Sequence, residues 1–159
     1  MLASLKGHRF VDLPQLQATR KAILLGLLLI PHLSSAATSD CDFESDTCGW
    51  TQLSTDELDW TRLSGSTGSS NTGPTSGHGG VGYYMYLEAS DGGTGHRATL
   101  QSSSIESTSS IDVFAFWYHM YGSSIGSLTL EATETGTVWV PLWTRTGDVG
   151  NAWEQAVVV

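Results

Sequence analysis

Three of the five histidines, one serine and a row of acids are the residues in this chain whose types and spacing could do chemistry. Gly122-Ser123-Ser124-Ile125-Gly126 matches G-x-S-x-G, the turn that raises a nucleophilic serine. That turn needs a strand feeding a helix, with an acid and a histidine later in the chain. Here a strand-like stretch follows, and no histidine occurs after His119. A glycine-rich turn is the reading that remains, and hydrolysis through Ser124 has no second partner. Gly77-His78-Gly79-Gly80-Val81-Gly82 fits G-x-G-x-x-G, but Tyr83-Tyr84-Met85-Tyr86 after it is strand-like. No helix N-terminus is then on hand to receive a pyrophosphate.

His78, His96 and His119 stand far apart, with no Cys or His pair at zinc-ligand spacing. His119 falls inside an apolar run, so a hydrogen-bonded core histidine is expected there rather than a base. Asp40, Asp42, Glu44 and Asp46 alternate, and on an extended segment they would share one face; Asp56, Glu57 and Asp59 follow. Calcium takes six to eight oxygens, largely carboxylates and carbonyls. A solvated acidic edge explains the same row. No carboxylate pair has a spacing that assigns acid and base roles, so glycosidase chemistry finds no support. No enzymatic activity is expected.

The elements that must position these residues read as strands. Apolar and β-branched runs recur between Gly, Ser and Thr punctuation, without sustained helical periodicity. Strands are predicted over Trp60–Leu63, Gly82–Ala89, Ala98–Ser102, Ile111–Tyr121, Ser127–Glu134, Val138–Arg145 and Trp153–Val159. Both alternating sets of Ile111–Tyr121 are largely apolar, which predicts a central strand covered on both sides. In Ser127–Glu134, Leu128, Leu130 and Ala132 should face inward. Gly122–Gly126 should join these two strands as a hairpin. Residues 64–80 form a long Gly/Ser/Thr stretch with no apolar anchor, predicted to be a mobile loop. The fold class expected is all-β, an antiparallel two-sheet sandwich of the jelly-roll kind.

Charge divides the chain in two. The net charge of −9 is the sum of +3 and −12. Residues 1–37 hold Lys6, Arg9, Arg20 and Lys21 against Asp12; residues 38–159 hold Arg62, Arg97 and Arg145 against fifteen acids. A body that acidic repels phosphate backbones, which argues against nucleic acid as a partner. The apolar run Ala22–Ile30 is too short to span a bilayer, which takes about 20 residues. Basic residues before it and Ser34-Ser35-Ala36-Ala37 after it fit a secretory signal peptide over residues 1–37; an uncleaved anchor or buried helix is the alternative. Export favours pairing Cys41 with Cys48, the only two cysteines. Closing that short loop stabilises by about 2.5 kcal/mol in the chain-entropy picture. No Asn-x-Ser/Thr acceptor occurs.

A series of short motifs then resembles one extracellular module. Cys41-Asp42-Phe43-Glu44, Cys48-Gly49-Trp50 and Asp59-Trp60-Thr61-Arg62 look like the opening of a MAM domain, the module of meprins, neuropilins and some receptor tyrosine phosphatases. Gly73-Pro74-Thr75, Gly82–Tyr86, Phe116–Gly122, Leu142-Trp143-Thr144-Arg145, Gly147-Asp148 and Asn151-Ala152-Trp153 continue it in order. The resemblance implies a jelly-roll adhesion or interaction module over residues 38–159, secreted or on the outer face of the plasma membrane. Its partners would be extracellular or membrane proteins, including a second copy, and its parent a membrane-anchored multidomain ectodomain. It also implies Glu44 and Asp59 as the residues to carry over as calcium ligands.

Departures from the pattern are equally specific. Family members usually carry four cysteines; Val113 stands where the third is expected, and the stretch bearing the fourth is absent. Gly77-His78 stands where the family has Asp-His. The last strands of the module are therefore expected to be missing, leaving Ala156–Val159 as an association site. The rival from another class is a carbohydrate-binding jelly roll, with Trp139 or Trp143 stacking on sugar rings. Secreted material should begin at Ala37 or Thr38 by N-terminal sequencing; protein still beginning at Met1 would overturn the signal peptide.

Overall fold

The computed structural model describes the backbone of Ser4–Phe10 and residues 41–88, 90, 92–102 and 113–159. Nine strands are found among them: β1 Ser4–Phe10, β2 Thr51–Gln52, β3 Thr61–Ser64, β4 Tyr83–Tyr86, β5 Leu100–Gln101, β6 Phe114–His119, β7 Ser127–Ala132, β8 Val140–Thr146 and β9 Glu154–Val158. A five-stranded sheet runs β3-β4-β1-β6-β9, and two ribbons, β2–β5 and β7–β8, stand apart from it. Every pairing is antiparallel, and no helix is found among the described residues. The chain is all-β, with the large sheet and the ribbons as two layers around one core.

The aromatic and β-branched runs fold as strands because such side chains suit a pleated, half-buried surface. β6 carries this furthest. Ala115, Phe116, Tyr118 and His119 are all buried, so both faces are covered, and β6 lies inside its sheet between β1 and β9. Met85, Phe116, Tyr118, Met120 and Ala156 of the large sheet meet Leu128 of β7, with Phe43 and Trp60 closing one side. Trp143 of β8 lies edge-on to Phe116 and Tyr118, ring centroids 5.1 and 4.9 Å away. Val113, at the place of the expected third cysteine, is buried. The Tyr84 hydroxyl donates to the Gly65 carbonyl at 2.7 Å. Burial, with Tyr86 adding to it, pushes the Tyr84 phenol up to about 12.

Two expectations are corrected. β6 and β7 do not form a hairpin. β6 pairs with β1 and β9, while β7 pairs with β8, so Gly122–Gly126 carries the chain from one layer to the other. A strand apolar on both faces finds partners for both edges within its own sheet, whereas the half-exposed β7 lays Leu128 on that sheet as a cover. The 64–80 connection, expected to lack anchors, is pinned. Thr67 is buried and its hydroxyl donates to the Thr72 carbonyl; the Gly73 amide donates to the Tyr121 carbonyl at 3.2 Å. Trp153 donates from Nε1 to the Ser76 carbonyl, and His78 stacks on Trp117 with centroids 3.7 Å apart. Backbone carbonyls and one imidazole hold this loop, and an apolar pattern search does not register either.

Of the predicted strand residues, Ala89, Ile111 and Asp112 lie outside the described residues; the strands appear within a few residues of their expected ends. β2 is two residues long and went unpredicted, as did β1, which lies inside the segment expected to be a leader.

His119 is a core histidine, 2 % exposed, with Nε2 3.1 Å from Asn151 Oδ1. With Nε2 donating to that oxygen, Nδ1 stays buried without a hydrogen-bond partner. Burial lowers its pKa below 6.5, opposed by the Asn151 bond and the nearby Asp148 charge. Because the folded pKa is depressed, the unfolded chain binds the extra proton, and stability falls as pH drops below about 6.5. His119→Gln keeps a donor toward Asn151 and should flatten that part of a pH–stability curve measured by urea unfolding; an unchanged slope would exclude His119 as its source.

Candidate interaction surface

The residues singled out for chemistry do not converge. Ser124 and His96 line one open cavity of about 340 Å³ with Leu58, Ile125 and the Gly92–Gly95 turn. His96 Nδ1 accepts the Gly93 amide at 2.9 Å, which ties the ring to its own turn. β7 follows Ser124 directly, so the strand-to-helix setting of a nucleophile is absent there.

The acid row is not a face. Residues 42–49 follow bends and turns, with Phe43 and Cys48 at positive φ, and Asp40 lies outside the described residues. Asp42 accepts the Glu44 amide and Asp46 the Cys48 amide, each two residues on, so these carboxylates shape a turn. The turn is closed by the Cys41–Cys48 disulfide, Cα atoms 5.8 Å apart. Glu44 points its carboxylate at the Tyr83 amide, 3.1–3.2 Å away, and Asp59 is exposed. Among the described residues no group of three or more His, Cys, Asp or Glu side chains is arranged to hold a metal ion.

What the structure does offer is an apolar end on the β7–β8 ribbon. Residues facing each other across the ladder share a face: Leu128 with Arg145, Leu130 with Trp143, Ala132 with Val140. Leu128 is buried, and Leu130 and Trp143 pack at the core margin. Ala132 and Val140 continue the same face but are exposed, since the ribbon projects past its cover. A bulge between Leu130 and Glu131 leaves Leu142 without an opposite number and turns it out. Val138, Trp139, Val140 and Leu142 are 67, 41, 53 and 50 % exposed, four large apolar side chains within five residues. Of the two tryptophans considered for sugar stacking, Trp143 is committed to the core and Trp139 is free to meet a ligand. Sequence alternation predicted a strand over Val138–Arg145 and β8 runs Val140–Thr146, so Val138 and Trp139 precede it; alternation could not show which part lacks cover.

Comparison with known proteins settles the family. The model of the MAM domain, meprin/A5/mu, matches residues 41–159. The chain belongs to the MAM family. The mouse MAM domain-containing glycosylphosphatidylinositol anchor protein 1 is 39 % identical over 137 residues, covering 80 % of this chain and 14 % of that protein. Human MAM domain-containing protein 2 is 38 % identical over 121 residues, 75 % of this chain and 18 % of the relative. Neuropilin-1 of Xenopus laevis is 34 % identical over 126 residues, 76 % and 13 % respectively. The chain therefore spans less than a fifth of the length of these relatives. Their kind places the MAM module outside the cell or at its surface.

Within this MAM domain, Arg62 and Glu44 lock the disulfide turn to the sheet. Arg62 Nε donates to the Phe43 carbonyl and Nη2 to that of Glu44, while its guanidinium lies 3.6 Å over the Tyr83 ring. The Glu44 carboxylate fits over Gly82, whose φ is +79°; a Cβ there would meet Glu44 Oε1 at 2.0 Å. Gly95, at φ +89°, has open space around it. Gly95→Ala should thus cost only the left-handed backbone strain, about 1 kcal/mol. Gly82→Ala should cost about 2 kcal/mol or more, because the displaced carboxylate also leaves the Tyr83 amide. Chemical denaturation of the two variants checks the order, and equal losses would remove the lock.

Proposed function

We propose that this MAM module makes extracellular protein–protein contacts, with the exposed Val138–Leu142 end of the β7–β8 ribbon as a contact surface and no catalysis of its own. The observation that carries the reading is those four apolar side chains held out on a ribbon whose other end is anchored in the core. Large apolar groups clustered at a surface mark contact sites more often than they mark idle surface. Tryptophan among them is the residue type that most often dominates such contacts. Relatives named for a membrane anchor support a setting in which the partner is a protein on the same or an opposing cell. Homophilic contact is included, since an apolar ribbon end can meet its own copy across a two-fold axis.

The sugar-binding rival now rests on Trp139 alone. Binding should be measured on a panel of cell-surface ectodomains and on beads coated with the protein itself. Val140→Asp with Leu142→Asp should weaken capture or bead clustering by tenfold or more (about 1.4 kcal/mol) at unchanged melting temperature. Inertness of the folded, unaltered protein in both formats would overturn the proposal. Binding on a glycan array that vanishes with Trp139→Ala would favour the sugar reading instead.

A further inference from the structure

An open sheet ends in strands that each present one row of unpaired amides and carbonyls. Folded proteins blunt those rows with very short strands, basic residues, proline or bulges. Most edges in this domain carry such a device. β2 and β5 are two residues long. The β7–β8 ribbon is bulged between Leu130 and Glu131, and β8 contains Pro141. β3 contains Arg62, whose guanidinium ties the disulfide turn to it. β9 has none of these. It runs five residues, Glu154-Gln155-Ala156-Val157-Val158, without Pro, Gly, Lys or Arg. Its register with β6 is unbroken from Tyr118 opposite Glu154 to Phe114 opposite Val158. Its other side is the edge of the five-stranded sheet. Among the described residues, no backbone hydrogen bond outside the β6 ladder involves these five. Val157 is 57 % exposed on this edge strand.

We propose that the free edge of β9 is a docking site for β9 of a second copy, the two strands pairing antiparallel about a two-fold axis so that the large sheets join into one. Main-chain hydrogen bonds supply the affinity, as in strand addition at any open edge. Composition picks the occupant. The strand is graded, with its one charge, Glu154, at the start and valines at the end, so a reversed copy sets the apolar halves against each other. A two-fold axis perpendicular to the sheets keeps both core faces on one side. Centring it on Val157 brings that exposed side chain opposite its own copy. Ala156 then meets Val158, and Gln155 meets Val159, which is also exposed. Valines facing across antiparallel strands suit the pleated surface. The two Glu154 carboxylates then lie about 20 Å apart along the strands, beyond the Debye length of about 8 Å at physiological salt. This site lies on the large sheet rather than on the β7–β8 ribbon, so it stands without the Val138–Leu142 contact. Five residues a side, against roughly 20–30 in a standard interface, make a weak dimer that forms with rising concentration. Each chain carries −9, so salt that screens the repulsion between copies should strengthen it.

Sedimentation equilibrium of the full chain, over a concentration series at low and high salt, tests this together with Val157→Lys and Val157→Glu. The unaltered chain should move toward dimer with concentration, and further at high salt. Each variant alone brings like charges together at the axis and should lower the association constant by at least about tenfold. An equimolar mixture of the two variants should regain the dimer, because opposite charges then meet there. The Val140→Asp, Leu142→Asp double variant should dimerise as the unaltered chain does. Hydrogen exchange of β9 amides in the unaltered chain should slow from the lowest to the highest concentration. That reading decides alone should a variant at position 157 fail to fold. A chain monomeric throughout, or a dimer untouched by both Val157 variants, would overturn the site. Variants that stay monomeric when mixed would overturn the register and the second copy as occupant. A dimer lost with Val140→Asp and Leu142→Asp but kept with the Val157 variants would move self-contact to the ribbon and remove this site.

Discussion

Burial of both faces of β6 is the constraint on which the rest of this MAM domain depends. Once Phe114–His119 is covered above and below, its edges must be satisfied inside a sheet, because unpaired amides and carbonyls cannot be left in an apolar interior. β1 and β9 fill those edges. One face needs a cover, which Leu128 and Trp143 supply from the β7–β8 ribbon. The polar exception, His119, is tolerated since it is neutral and bonded to Asn151. Trp153 gathers the remaining loops around the same strand, edge-on to His119, His78 and Tyr84.

The periphery is held differently. There the acid-rich turn at Cys41–Cys48 has little apolar surface to bury beyond Cys41 and Phe43, so a disulfide and Arg62 do the holding. Glu44 adds a carboxylate–amide contact that only a glycine at position 82 admits. Asp42, Glu44 and Asp46 each accept a backbone amide. An acidic residue two positions before an amide in a turn readily caps that amide, and such local capture needs no distant partner.

The candidate contact feature has its origin in a strand without full cover. At Val138–Leu142 a ribbon extends beyond its core. A sheet protein leaves its interactive surface wherever pairing or cover is incomplete.

How legible was this in the chain? The strand runs, the central character of Phe114–His119, the disulfide and the core role of His119 follow from residue types and period-two spacing, because those are local properties. The family was legible too, since its motifs are short, ordered and spread from Cys41 to Trp153. Pairing was not. Glycines at 122 and 126 mark a turn equally well whether the next strand returns along its neighbour or crosses to the other layer. Nor could spacing reveal that Trp143 is spent on Phe116 and Tyr118 while Trp139, four residues earlier, is exposed. The sequence by itself determined which segments become strands and which strand must be central, because alternation and burial preference act residue by residue. Only the tertiary structure decided which edges meet, which carboxylates are captured by amides and where cover runs out, because those depend on contacts between residues far apart in the chain.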